Sequence, residues 1–387
     1  MALCKEWRCF MDNYIYMDNA ATTKLNNKVF EVMKDCLLNY YGNPSSIYSL
    51  GRQSKQALDE ARVKISKVLN VSHKEIYFTS GGTESNNWAI RGIVENSSKK
   101  RKHIITSKIE HKSVLNTFKD LEKKGYDVTY LDVDSKGVID LNGLENSIRE
   151  DTVLISLMLA NNETGVIQPI AEVSELIKDK DIYFHTDAVQ GAGKLNIDVE
   201  TLGVDLLSIS AHKFHGPKGV GALFIKKGTD IKNILTGGAQ ERGLRPGTEN
   251  VASIMGMSKA LTVAEDSMDQ RNSEIIIKEN YMMNQLKDTF ENVVFNGLKA
   301  KRLPGYINIA FKDISSESLL MNLDIEKICA SSGSACTSGS LKQSHVIKAM
   351  GLEDHYGVLR FSLNEENTTA EIDYVIEKLK TIINRLS

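Results

Sequence analysis

The sequence predicts an α/β fold with a mainly parallel central sheet flanked by helices, followed by a smaller α+β unit. Three observations carry this: apolar runs too continuous to alternate with polar residues, helical stretches between them, and Gly, Pro and Asn clusters at the run ends. The first amphipathic element lies between about Gly51 and Leu69, where Leu58, Ala61, Ile65, Val68 and Leu69 recur at helical spacing. Six apolar runs follow: EIYFT (75–79), HIITS (103–107), VTYLDV (128–133), VLISLMLA (153–160), IYFHTD (182–187) and LLSIS (206–210). Such runs suit strands covered on both faces, as crossover helices cover a parallel sheet. Pro44, Pro169, Pro217 and Pro246 sit among Gly, Asn and Gln in clusters that mark loops at strand ends, where open α/β sheets place their ligands. After about residue 262 the chain turns more helical. It then carries YINIAF (306–311), VLRFSL (358–363) and a closing helix from about Thr369 to Leu386.

Lys and Arg number 48 against 50 Asp and Glu, a net charge of −2, which argues against a nucleic-acid partner. Cys4, Cys9, Cys36, Cys329 and Cys336 form an odd, sparse set that fits free thiols in a reducing compartment. No apolar run approaches the ~18 residues of a membrane span, and MALCKEWRCF lacks the apolar core of a signal peptide. A cytoplasmic location without membrane attachment is expected.

Chemistry concentrates where apolar runs end. EIYFT leads into Ser80-Gly81-Gly82-Thr83, a turn at a helix start that is either an anion site or a capped turn. HIITS leads into Glu110-His111, and VLISLMLA into Asn161-Asn162. IYFHTD ends in Asp187, a strand-end carboxylate that needs a cationic or donor partner, with Gln190 just beyond it. LLSIS runs into Ser210, His212 and Lys213, then a glycine-rich turn holding Lys218. A desolvated amine at Lys213 suits Schiff-base chemistry, whereas Lys218 lies in the turn itself. His212 and His215 have no acidic or thiol partner at zinc-like spacing, so no metal is expected. Taken singly each feature has an ordinary structural explanation. Together they supply phosphate donors, an aromatic ring, a partner for a pyridinium nitrogen and an amine, the set that pyridoxal 5'-phosphate requires. Cys336 stands apart, in SSGSACTSGS, whose small polar residues suggest a mobile exposed loop; Cys329, between Ile328 and Ala330, suits a structural role.

From about Tyr16 to the closing helix, the chain resembles cysteine desulfurases of the NifS/IscS type, class V aminotransferase-like enzymes of pyridoxal fold type I. The motifs, in family order, are YMDNAATT, YGNPSS, FTSGGTESNN, EHKSV, NNETG, HTDAVQ, SAHKFHGPKGVG, RPGTEN, SSGSACTSGS and LRFSL. The resemblance implies Lys213 as the Schiff-base lysine, Asp187 on the pyridinium nitrogen, His111 stacked on the ring and Gln190 at the phenolic oxygen. It implies Thr83, Ser210 and His212 at the phosphate, with Thr248 reaching in from a second subunit of a homodimer. Asn43, Asn162 and Arg360 resemble residues that grip a substrate carboxylate. The implied reaction converts L-cysteine to L-alanine and leaves a persulfide on Cys336, supplying sulfur to an iron–sulfur scaffold or another acceptor protein. His111 is a plausible acid/base as well as a stacker. Selenocysteine lyase, aminotransferase and a catalytically silent sulfur-transfer scaffold are the alternatives. The expected division is an N-terminal extension (1–15) packing with the small domain, a large cofactor-binding domain (16–262), and a small C-terminal domain (263–387) carrying the cysteine loop.

Overall fold

The computed structural model describes residues 14–97, 101–333 and 343–386. Its centre is a seven-stranded sheet in the order Ile76–Thr79, Gly221–Ile225, Leu206–Ser210, Tyr183–Asp187, Thr152–Met158, His103–Ser107, Asp127–Leu131. Every neighbour pair is parallel except the two made by Gly221–Ile225. That reversed strand is not among the apolar runs identified in the sequence, because it emerges from the glycine-rich turn. Its direction follows from the short link after Ser210, too short for the crossover that a parallel neighbour requires.

Successive residues of a strand point to opposite faces, and the packing follows that alternation. Ile105, Ile155, Leu207 and Phe224 join one core, while their neighbours Ile104, Leu154, Leu206 and Leu223 join another on the reverse face. Helices Gly82–Val94 and Lys112–Lys123 cover the second face. The central strands are therefore buried along their whole length, which is why their sequences run apolar without alternation. The edge strand Asp127–Leu131 is more open and ends two residues before the apolar run VTYLDV does.

A third core gathers Met282, Leu286, Ile307, Ile309, Leu359, Phe361, Ile376 and Leu379 around a three-stranded antiparallel sheet of Val294–Phe295, Tyr306–Lys312 and Tyr356–Ser362. Met17 belongs to it, and Ile15–Tyr16 pairs in parallel with Ile328–Cys329. The segment that follows, Asp18 to Thr23, crosses back to the large sheet. Asn19 donates to the Ser362 carbonyl and Thr23 to that of His212, so six residues bridge both cores at the carboxyl ends of the central strands.

Candidate active site

Those strand ends enclose a cavity of about 210 Å³ lined by Thr83, His111, Asn162, Asp187, Gln190, Ser210, His212, Lys213 and Arg360. Nine residues singled out in the sequence thus converge on one space. Strand Leu206–Ser210 delivers Lys213 on a short 3₁₀ turn, where its Nζ donates to the carbonyls of Ala20 (2.6 Å) and Ala21 (2.8 Å). Lys218 is exposed.

Asp187 closes strand Tyr183–Asp187 and is 6 % exposed. Its Oδ2 accepts from Asn86 Nδ2 at 2.6 Å and its Oδ1 from the Val189 amide at 3.0 Å. Asn86 also donates to Ser113 Oγ, which lies 2.8 Å from His111 Nδ1. The Ser113 amide donates to that same Nδ1, so Nδ1 is an acceptor and the imidazole proton sits on Nε2. Burial, with help from the Lys213 and Lys112 charges, holds the His111 pKa below its usual value against the pull of Asp187. His111 therefore meets the cavity as a neutral ring.

The helix Gly82–Val94 starts without a side-chain cap, which leaves first-turn N–H groups for an anion. A Cβ at Gly82 would lie 2.8 Å from Val189 Cγ2, so glycine there lets the helix start sit close to Val189 without displacing it. Thr83, Ser210 and His212 edge an adjoining open recess. Desolvation and the nearby Lys213 and Lys218 charges press the His212 pKa down to about 4. Arg360, 1 % exposed, donates to the Asn162 carbonyl (2.8 Å) and to Asp18 Oδ1 (2.5 Å). Its Nε is buried and has no partner among the described residues.

This donor set fits pyridoxal phosphate. An amine, a buried carboxylate, a neutral imidazole and an uncapped helix start share one cavity, and Arg360 keeps an unspent N–H for a carboxylate. Two expected site residues stand elsewhere in the single chain: Asn43 is exposed and caps its own turn through the Ser45 amide, and Thr248 is exposed. Cys336, Cys4 and Cys9 lie outside the described residues. Cys329 is partly buried and Cys36 is buried, with burial raising both thiol pKa values, that of Cys36 to about 11.

Asn86, Asp18 and Glu110 fall inside the quoted motifs or beside them, yet the sequence alone gives none of the three a role in the site. Asn86 stands three residues after Thr83, on the same helical face, a spacing that was there to be used. Glu110 is fully buried beside His111. Its Oε1 accepts from Ser107 Oγ (2.6 Å) and the Met158 amide (3.0 Å), and its Oε2 has no partner among the described residues. Burial pushes its pKa from an ordinary 4.5 up to about 8. A carboxyl raised on folding binds its proton in the native state and releases it on unfolding, so stability falls as pH rises from about 4.5 to about 8. Glu110→Gln mimics the protonated acid. Compared with wild type, the variant should gain unfolding free energy at pH 8 relative to pH 5 in denaturant titrations. An equal difference at both pH values would refute this assignment.

A family model described as aminotransferase class-V matches residues 15–375. "Cysteine desulfurase IscS" of Dictyoglomus turgidum is 48 % identical over 97 % of this chain and 96 % of its own length. Among solved structures, a "NifS-like protein" superposes with a TM-score of 0.91 at 39 % identity, covering 96 % of this chain and 100 % of that one. A second, "SspA in complex with cysteine", gives 0.79 at 35 % identity over 91 % of this chain and 99 % of that one. With the family match running almost from end to end and the cavity built from the motifs named above, the chain belongs to the class-V aminotransferases, in their cysteine desulfurase family.

Proposed function

We propose that this chain is a pyridoxal phosphate-dependent cysteine desulfurase that converts L-cysteine to L-alanine and takes the sulfur onto Cys336. The observation that carries the reading is the convergence of Lys213, Asp187, His111 and Arg360 on one cavity; the names of its relatives support it. Pyridoxal phosphate, when bound, supplies an electron sink for the substrate's Cα. Thr83, Ser210, His212 and the first turn of helix Gly82–Val94 would hold its phosphate, Asp187 would keep a proton on its ring nitrogen, His111 would pack against the ring, and Gln190 would donate to the phenolic oxygen. Arg360 and Asn162 hold the substrate carboxylate, a planar anion that a guanidinium grips at two points. Lys213 accepts and returns the Cα proton. The Cys336 thiolate attacks the substrate sulfur; the S–S bond forms as the C–S bond breaks, the pair stays with carbon, and a proton completes alanine.

The working unit in this reading is a homodimer in which Thr248 and Asn43 complete a site. Support comes from Phe30, Leu37, Leu38, Tyr41, Ile47 and Tyr48, apolar side chains exposed close together in sequence on helix Asn27–Asn39 and the segment after it, the kind of surface that marks an interface. The separate core around the three-stranded sheet supports the 263–387 unit, with Met17 contributed to that core from the start of the 16–262 unit. The sulfur acceptor is an iron–sulfur scaffold or another acceptor protein, and the compartment is the cytoplasm, whose reducing conditions suit free Cys36 and Cys329. No helix among the described residues is long and apolar enough to cross a membrane.

Incubation with L-cysteine should yield alanine and, with a thiol reductant, an equal amount of sulfide. Mass spectrometry after a cysteine pulse should place the extra sulfur on Cys336, and Cys336→Ala should lose nearly all sulfide release. Sulfur on Cys329 or Cys36, or full turnover in Cys336→Ala, would overturn the persulfide assignment in favour of a selenocysteine lyase or another pyridoxal lyase.

A further inference from the structure

Gln190 reaches the cavity at the end of a hydrogen-bond chain that starts outside it. Lys194 Nζ donates to Tyr306 Oη at 3.1 Å, and Tyr306 Oη donates to Gln190 Oε1 at 2.5 Å. Gln190 Nε2 donates to the Ala20 carbonyl at 3.0 Å, the same carbonyl that takes Lys213 Nζ at 2.6 Å. The direction of every bond follows from one group. A backbone carbonyl only accepts, so the Gln190 atom facing Ala20 has to be the amide nitrogen. Its other atom is then the carbonyl oxygen, which obliges the Tyr306 hydroxyl to donate. That leaves the lone pairs of Tyr306 for Lys194, a group with protons to give.

The parts are firmly placed. Tyr306 is 2 % exposed, and burial raises its pKa, so the hydroxyl keeps its proton. Lys194 follows Gly193, whose backbone (φ +71°) packs where a Cβ would come within 2.8 Å of Phe214. The Gly193 carbonyl accepts from Arg271 and the Lys194 carbonyl from Asn272, both on helix Met268–Thr289. The charged groups around the amine are Lys213, Arg271 and Arg360, with Glu365 lining the small cavity that Lys194 shares with Lys213 and Arg271. Desolvation, followed by those three positive charges, brings Lys194 down to about 7.

We propose that Lys194 and Tyr306 are positioning residues: they lock the Gln190 carboxamide so that it presents only N–H to the cavity, fixing it as a donor to an anionic ligand oxygen. This rests on the pyridoxal phosphate reading and adds two residues to it. An unlocked carboxamide can turn its carbonyl toward the cavity, where it would repel the same oxygen. Neither residue need touch the ligand.

The test is a pH titration of the visible absorption band of the protein reconstituted with pyridoxal phosphate. Tyr306→Phe and Lys194→Met should each raise the midpoint by about half a unit to one unit, the scale of one lost hydrogen bond. The double variant should move it no further than the larger single change, because both act through one carboxamide. Lys194→Arg, which retains charge and donor, should keep the midpoint close to that of wild type. A midpoint unmoved in Lys194→Met, even with lowered thermal stability, would reduce Lys194 to a packing role and overturn the proposal, as would additive shifts. Should Lys194→Met not fold, Lys194→Gln and Tyr306→Phe decide the matter on the same criterion. A wild-type protein that develops no band with pyridoxal phosphate would overturn the proposed function and this network with it; a band indifferent to the variants would overturn the network alone.

Discussion

Lys213→Ala should bind pyridoxal phosphate without the visible band and should lose cysteine turnover by about 10³-fold or more, the scale of removing a positioned proton-transfer group. The argument is geometric. Lys213 leaves a short turn at the end of a buried central strand and meets the cavity with its amine held by the Ala20 and Ala21 carbonyls. Two backbone carbonyls orient the amine toward the cavity that Asp187 and His111 also line. Lys218→Ala is the internal control, since Lys218 is exposed in the glycine-rich turn and should retain both band and turnover. The reverse pattern, with Lys218→Ala inactive and Lys213→Ala unaffected, would move the reactive amine to the wrong side of the turn and refute the site.

The largest loss of stability is expected from Glu241→Ala, far from any reacting atom. Glu241 takes a two-point ion pair from Arg62 at 2.8 and 2.6 Å, and its Oε2 accepts the Phe78 amide at 2.9 Å. Both side chains are buried, and the guanidinium stacks on the Phe78 ring. Removing the carboxylate strands a guanidinium inside the protein, a change that costs about 3–5 kcal/mol. Denaturant midpoints read this directly. Arg62→Met with Glu241→Leu should recover much of the loss, because the penalty arises from the unpaired charge rather than from the missing attraction. The loss should also reach the cofactor. Arg245, four residues after Glu241, pairs with Glu84 in the first turn of helix Gly82–Val94 at 2.8 and 3.1 Å. A Glu241→Ala protein as stable as wild type would show that the pair is relaxed by water or neighbours.

Much of this was legible in the sequence, for identifiable reasons. Strands His103–Ser107 and Leu206–Ser210 coincide with their apolar runs because sheet and helices bury both faces, so that even their polar residues His103, Ser107 and Ser210 are buried with the apolar ones. Lys213, Asp187 and His111 could be read because strand ends display them and their chemistry resides in side chains. The reversed strand Gly221–Ile225 was obscured by its glycines: Gly221 is needed where a Cβ would sit 2.8 Å from the Gly81 backbone, yet glycine reads as a turn. Ala20 and Ala21 contribute only carbonyls, which every residue has, so no side-chain pattern marks them as partners of Lys213. Tyr306 and Lys194 stand 116 and 4 residues of sequence from Gln190 respectively, and only the fold joins the three. Asn43 and Thr248 carry motifs whose purpose a single chain does not display.

The segment from Ile15 to Thr23 also fixes when in the protein's life this site comes into being. Its strand partner is Ile328–Cys329, and its anchors on the last sheet are Ser362 and Arg360, more than 340 residues away. These are among the first described residues to leave the ribosome, and their partners are among the last. Closing so long a loop is slow compared with forming the local strand–helix units between. The large sheet can assemble during synthesis, but the carbonyls of Ala20 and Ala21 gain their anchorage through Asn19 and Asp18 only after strand Tyr356–Ser362 has emerged. Maturation of the lysine pocket therefore waits on the end of the chain, and a chain stalled or truncated before residue 360 would hold the Ala20 and Ala21 carbonyls only through Thr23 and Gln190.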